Sequence, residues 1–256
     1  MKSEVCSRAF TDIAPYYDTL MSFINYRGWV AYIENILAFN TIRGKKVLDL
    51  ACGTGVCVLL WLERGYDVIG LDGSLPMLEI CRQKLIRSAP RVHNNVYLIN
   101  GDMRNFRLAR KVPIMTCLYD SLNYLLREAD LVSCFECVYD TLSDDGIFIF
   151  DINTIHCLHD EWGNQTFHRQ DGDIYSTWTN TFNTSTFVSS LDLTLAIKKD
   201  GKETIIKEFH QERAYPLSTI RELLTNAGFD CSFYRHLTFT PAQERDLRVM
   251  GVATKK

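Results

Sequence analysis

KVLDLACGTG, residues 46–55, sets Val47, Leu48 and Leu50 around an acid, Asp49, and then breaks into a loop with glycines at 53 and 55. The stretch that follows, about 55–64, has the pattern of a helix and is closed by Gly65, so the decapeptide reads as a strand feeding a crossover helix. Glycines at such a turn let the backbone bend sharply and let a ligand approach without a Cβ in the way. Alone, the loop supports a nucleotide site and nothing narrower. The nicotinamide and flavin fingerprint would need a third glycine where Val58 stands, and the acid on the preceding strand also points away from it.

The same rhythm extends outward. Between 46 and 152, short apolar runs alternate with longer amphipathic stretches, as in a doubly wound parallel sheet. Further strands are expected at DVIGLD (67–72), NVYLIN (95–100), PIMTCLYD (113–120) and GIFIFDIN (146–153). Helices are expected at 74–88, with Ser74 as N-cap and Pro76 in the first turn, and at 127–142. From about 160 to 213 helix signals vanish, and polar residues alternate with Thr, Phe, Tyr and Trp in DIYSTWTNTF, FVSSLDLTLAIKKD and ETIIKEFHQERAY. These predict antiparallel strands, with Asp200-Gly201 as a hairpin turn. A helix after Pro216, closed by Gly228, and two strands near 229–239 and 246–254 complete the pattern. The first 40 residues, with Phe10, Tyr16, Tyr17, Phe23, Tyr26 and Trp29, predict helices packed over the ligand edge of the sheet.

Composition bounds the function. With 256 residues, 46% of them hydrophobic, the chain can bury a large core, and a net charge of −3 gives no general nucleic-acid surface. No apolar run approaches the roughly 20 residues of a membrane span, and the N-terminus lacks a signal-peptide core, so a cytoplasmic protein with no membrane partner is expected. Nine cysteines, odd in number and irregularly spaced, read as free thiols. Cys134 and Cys137 lack the second pair a zinc site needs, and no metal is expected. Monomer and homodimer both remain open.

Asp72 ends the second strand, 19 residues beyond Gly53, where a carboxylate can accept both hydroxyls of a ribose. The third strand ends in Asn100-Gly101-Asp102-Met103, offering a carboxylate to an adenine amino group and a thioether to its ring. With these in register, VLDLACGTG, VIGLDGS, NGDM and CLYDSLNYL resemble the motifs of class I S-adenosylmethionine-dependent methyltransferases, over nearly the whole chain. APYYDTLM, FDIN and the insertion ending in ERAYPL are similar to a bacterial group of uncharacterised methyltransferases, and more distantly to glycine and aminosugar N-methyltransferases.

The resemblance implies an α/β, Rossmann-like, seven-stranded and mostly parallel sheet in a single domain. An N-terminal helical cap (1–40), a core (41–159 and 214–256) and an antiparallel β lid inserted after the fifth strand (160–213) would make it up. It implies S-adenosyl-L-methionine as cofactor, with S-adenosyl-L-homocysteine as product. Ala51 and Gly53 would meet the methionine part, with Asp49, Cys52 and Gly55 beside them. Asp72 would bind the ribose, with Gly73 and Met77 following it, and Asp102 with Met103 the adenine. Leu118 and Tyr119 would floor the sulfonium, and Tyr17 would close over the methyl.

A sulfonium methyl is already activated, so the protein mainly has to hold a nucleophile in line with the C–S bond and exclude water. Aromatic walls suit this chemistry, which brings in Tyr17, Tyr119, Tyr175 and Trp178, although the last two read equally as cross-strand packing. An amine acceptor must lose a proton, and Asp120 is the first candidate base, its other reading being a cap on the next turn. His156, after the DIN segment, is expected near the pocket mouth, and His210 in the lid. Asn123 and Tyr124 either orient substrate or begin a helix. The expected acceptor is a nitrogen or oxygen of a small molecule. Methylation of a protein or tRNA, and a non-catalytic cofactor-binding domain, are the alternatives.

Overall fold

In the apolar runs flanked by amphipathic stretches, the two periodicities, 2 and 3.6, sort the chain into strands and helices, and burial of the apolar faces then sets the layers. The computed structural model describes residues 6–7, 9–88, 95–199 and 201–256. Its larger sheet contains β2 (Lys46–Leu50), β3 (Asp67–Asp72), β4 (Val96–Asn100), β5 (Val112–Cys117), β6 (Leu142–Asn153), β11 (Phe229–Arg235) and β12 (Arg248–Lys255). The order is β11-β12-β6-β5-β2-β3-β4, parallel from β4 to β6, with β12 antiparallel to both β6 and β11.

The chain runs outward from β2 to β4, then returns to β5 on the other side, so the crevice at the C-terminal ends of β2 and β5 is the switch point at which such sheets bind ligands. On one face lie α2 (Tyr26–Phe39), α3 (Val56–Glu63) and α4 (Leu75–Ser88); on the other lie α5 (Glu128–Thr141) and α6 (Leu217–Asn226). Trp61 fills the first core, and Phe135, Phe148 and Phe150 the second, all fully buried. Each large apolar side chain so buried contributes about 1.5–3 kcal/mol.

The smaller sheet has the order β1-β10-β9-β8-β7, from β1 (Cys6–Ser7), β7 (Thr166–Asp171), β8 (Ile174–Asn183), β9 (Val188–Lys199) and β10 (Lys202–Arg213). Its inner face packs Leu193, Leu195 and Ile197 against Ile13 and Leu20, so the insertion and the N-terminal segment share one core. Asp200, half of the expected hairpin turn, lies outside the described residues; beside it Lys199 and Lys202 pair directly.

Three expectations needed correction. The strand expected over 113–120 stops at Cys117, because Tyr119 and Asp120 turn into left-handed backbone, φ +62° and +50°. The last strand pair is shorter than expected at 229–239, ending at Arg235 before a turn. At the N-terminus the helices expected over the first 40 residues are interrupted: a 3-10 turn (Ala14–Tyr16), with Pro15 in it, and the four-residue α1 (Tyr17–Leu20) precede α2.

Candidate active site

A cavity of about 1170 Å³ opens at the C-terminal ends of β2, β3 and β5, roofed by the N-terminal segment and the inner face of the smaller sheet. Its floor is the glycine loop. Ala51, Gly53 and Gly55 all have positive φ, and Gly55 caps α3. The two glycines serve different ends. A Cβ on Gly53 would meet nothing within 4 Å, so this backbone faces open cavity, whereas one on Gly55 would lie 2.2 Å from Cys81 Sγ. Gly53 thus leaves room for a ligand, and Gly55 lets α4 pack against the loop.

Asp72 organises the loop. One carboxylate oxygen accepts the Gly53 N–H and the other the Ser74 N–H, both at 2.7 Å, at a residue only 9% exposed. Burial raises its pKa and the two amides pull it back. Ser74 caps α4 as expected, its hydroxyl accepting from the Met77 N–H at 3.3 Å. Asp49, buried behind the loop, accepts from the Thr116 hydroxyl at 2.6 Å, and burial pushes its carboxyl up to about 7 against that hydrogen bond.

The opposite wall is a turn held by charge. Asp151, fully buried in β6, accepts the Tyr119 N–H at 2.6 Å and the Asp120 N–H at 2.9 Å. Arg248 on β12 reaches the Asp151 carboxylate and also Asp120 at 2.7 Å. Left-handed backbone at a non-glycine pair costs on the order of 1–3 kcal/mol per residue. The Asp151 carboxylate collects both amides and so stabilises the turn. Burial raises the Asp151 carboxyl to about 6 despite Arg248. The turn delivers Tyr119 against Trp29, rings stacked at 4.5 Å, and leaves its buried hydroxyl without a hydrogen-bond partner.

Above this floor lies the N-terminal segment. Glu208 on β10, 2% exposed, accepts the backbone N–H groups of Phe10, Thr11, Asp12 and Ile13 at 2.7–3.0 Å. Asp18 accepts from the Thr54 hydroxyl at 2.5 Å and from Lys84 at 2.6 Å. The Phe10 ring lies 5.2 Å from Tyr124 and 4.9 Å from His210, and the Tyr124 hydroxyl and His210 Nδ1 are 3.3 Å apart. Tyr17 enters the cavity from this segment, its hydroxyl pKa raised by burial and then by the charges of Asp120 and Asp72.

Of the residues singled out in the sequence, Tyr17, Asp49, Ala51, Cys52, Gly53, Asp72, Gly73, Met77, Met103, Leu118, Tyr119 and Asp120 all line the cavity. Tyr124, Trp178 and His210 join them; Gly55, Asp102, Asn123, His156 and Tyr175 do not. Asp102 is turned aside by Arg104 two residues on, which forks onto both its oxygens and holds its carboxyl below the usual range. His156, expected at the pocket mouth, lies in a π-helical turn where its Nδ1 meets Asp160 at 2.7 Å. Asn123 is structural: its amide ties Asn153 to the Arg213 carbonyl. Tyr175 lies outside, beneath Lys198. Missed in the sequence were Glu208 and Arg248, which stand in no motif, and Glu212 and Asp151, which lie within ERAYPL and FDIN but were not singled out there. Alternation on one strand, Glu208-His210-Glu212, carried a trace of Glu208 and Glu212.

A glycine loop open to a cavity, with an acid bridging it to the next strand, fits an adenosyl ligand. Residues 47–146 match the methyltransferase domain family. Protein YqeM of Bacillus subtilis (strain 168), which carries a provisional methyltransferase name, is 30% identical over 223 residues, 86% of each chain. The chain belongs to the S-adenosylmethionine-dependent methyltransferases, and S-adenosylmethionine is its cofactor. Among solved structures it is similar to an S-adenosylmethionine-dependent methyltransferase from Clostridium acetobutylicum ATCC 824, with TM-score 0.84 and 25% identity over 95% of this chain and 97% of that one. Over half its length it is also similar to dTDP-3-amino-3,6-dideoxy-alpha-D-glucopyranose N,N-dimethyltransferase of Streptomyces fradiae, 27% identical over 127 residues, 50% of this chain and 47% of that protein.

Proposed function

We propose that the chain transfers a methyl group to a nitrogen or oxygen nucleophile of a small molecule by in-line displacement. The single observation that carries this reading is the roofed cavity itself. At about 1170 Å³ it exceeds what one ligand of ordinary size occupies, and it lies between the glycine loop and the lid rather than on an open face. The aminosugar enzyme of Streptomyces fradiae, named for an N-methylation of a small molecule, supports the same direction.

S-adenosylmethionine supplies an activated sulfonium methyl. The chain's own residues hold, orient and dry the site. Ala51, Cys52 and Gly53 would lie along the methionine part with Asp49 behind them. Asp72 and Gly73 would hold the ribose, Asp72 sharing with its hydroxyls the oxygens now taken by two amides. Met77 and Met103 would flank the adenine. Leu118 and Tyr119 would form the floor beside the reacting carbon, and Tyr17 would cover it, excluding water and placing the nucleophile opposite the C–S bond. Aromatic walls do not oppose a cation that loses its charge as the methyl moves. Asp120, 2.7 Å from Arg248, would face the acceptor as one of the carboxylates of this wall able to receive its proton.

Calorimetric titration with S-adenosylmethionine tests the cofactor residues. Asp72→Ala should weaken binding by about 2 kcal/mol or more, since a charge-assisted contact and the brace on Gly53 both go. Equal affinity would remove Asp72 from the site. Incubation with labelled cofactor and a cell metabolite fraction tests the acceptor. Label should move into small molecules, and label found only in macromolecules would overturn the reading.

A further inference from the structure

Four acids line the cavity, Asp49, Asp72, Asp120 and Glu212, against two arginines, Arg169 and Arg248. Asp49 and Asp72 stand at the glycine loop. Arg169 is turned away, donating to the Leu20 carbonyl and to Asp171 at 3.3 Å each, beneath the Phe23 ring. The wall opposite the glycine loop is therefore left with Arg248, which is already shared between Asp120 and Asp151.

Glu212 has no ion pair among the described residues. Its carboxylate accepts from the Asn153 amide at 3.1 Å, and Asp120 lies beside it. Around it stand Asp120 and Tyr124 from the segment after β5, Asn153 of β6, Cys157 beyond that strand, His210 two residues back on β10 and Arg248 of β12. Arg248, the cation of this shell, is already shared by Asp120 and Asp151. Burial, then the Asp120 charge, push the Glu212 carboxyl well above its usual range. A partly buried carboxyl in a desolvated wall, crowded by a like charge and with no ion pair of its own, keeps its proton. A ligand cation would take that proton's place.

We propose that Asp120 and Glu212 together form a recognition site for a protonated nitrogen, so that the acceptor is a small-molecule amine and Glu212 takes its proton. The inference rests on the methyl-transfer reading and narrows it to one nucleophile. In the free enzyme the Glu212 carboxyl holds a proton. An ammonium group, R–NH3+, seated there releases that proton to solvent. One N–H proton then passes to the Glu212 carboxylate. The freed nitrogen lone pair forms the new C–N bond as the C–S bond breaks, the bonding pair stays with sulfur, and the product leaves as R–NH2+–CH3. An alcohol brings no cation to replace the Glu212 proton, so the site selects against it.

The test uses the full chain saturated with S-adenosylhomocysteine. It is titrated calorimetrically with matched probes, benzylamine against benzyl alcohol and cyclohexylmethylamine against cyclohexylmethanol, in two buffers of different protonation enthalpy. Each amine should bind at least about tenfold tighter than its alcohol and release a proton on binding. Glu212→Gln should lose that preference and the proton release, yet bind S-adenosylhomocysteine as before; Glu212→Asp should restore part of both. Independently of any ligand, the infrared carbonyl band of protonated carboxylic acid at neutral pH should lose the intensity of one carboxyl in Glu212→Gln, with the part that Asp49 contributes left in place. Equal binding of amine and alcohol, an unchanged Glu212→Gln, or no such loss of intensity would each overturn the proposal. Failure of the wild type to bind S-adenosylhomocysteine would instead strike the underlying methyl-transfer reading.

Discussion

Replacing Glu208 by glutamine removes a charge that four backbone amides share. Hydrogen bonds to a charged acceptor contribute about 1.5–3 kcal/mol net and those to a neutral one about 0.5–1.5. Three amides, those of Thr11, Asp12 and Ile13, converge on one oxygen, and Phe10 uses the other. A glutamine can keep its carbonyl toward the three, but then its NH2 faces the Phe10 N–H, leaving a buried donor opposed. With non-additivity allowed for, the docking of the segment should weaken by about 3 kcal/mol, a rise of about 150-fold in its open population. Hydrogen exchange followed by mass spectrometry reads this directly. Peptides spanning residues 9–24 should exchange faster in Glu208→Gln, while peptides of β2, β5 and β6 stay as in wild type. Affinity for S-adenosylmethionine should fall with it, since Tyr17 rides on that segment. Unchanged exchange over 9–24, or equal acceleration in the central strands, would refute the reasoning. The pH dependence has a definite sign. Burial pushes the Glu208 carboxyl up, but His210 and the amides of Ile13 and Phe10 outweigh it, so it titrates below its usual value. A depressed carboxyl stabilises above its unfolded pKa, and that contribution fades as pH falls through the folded value. In acid, wild type should therefore approach the mutant.

Asp49, pushed up to about 7, has the opposite sign: its contribution is present in acid and is lost as pH rises through about 7. Asp49→Asn, which keeps an acceptor for Thr116, should gain on wild type in melting temperature between about pH 4 and about pH 7, and a flat difference over that range would be contrary. Gly53→Ala should cost about 1–2 kcal/mol in stability for its left-handed backbone, and more in cofactor affinity, because its Cβ enters the cavity. Gly55→Ala should do the reverse, lowering stability by about 2–3 kcal/mol or more through the contact with Cys81, with cofactor affinity following stability. Denaturant melts and calorimetry on both variants would separate the two roles.

The larger sheet was legible because its parallel strands are dense apolar runs separated by amphipathic stretches, one of them, α4, opened by the Ser74 cap. The cofactor side was legible for a related reason. Its residues sit at the ends of consecutive strands, so spacing alone brings Gly53, Asp72 and Met103 to one edge. Asp102 failed that rule because Arg104, two positions away, captures its carboxylate, a local competition that strand spacing does not register. His156 was placed by proximity to β6, but a π-helical turn carried it to Asp160. The wall opposite the glycine loop was illegible in a different way. Asp120, Asp151, Glu212 and Arg248 come from four separate stretches and meet only because β12 runs back beside β6 and the smaller sheet folds over both. No local signal marks an arginine near the C-terminus as the partner of an acid 128 positions earlier.

Strand β10 can be viewed as a ruler. Glu208, His210 and Glu212 project from the same side of one extended segment at two-residue intervals. The clasp on the N-terminal segment and the Asp120 partner are therefore held about 13 Å apart by backbone geometry alone. Nothing between them can shorten or lengthen that interval. A one-residue slip of β10 against β9 would turn all three side chains outward at once. Loops at either end of the hairpin are free to vary in length, but the strand is not. The interval between the clasp and the Glu212 carboxylate is thus set by the rise of a β-strand.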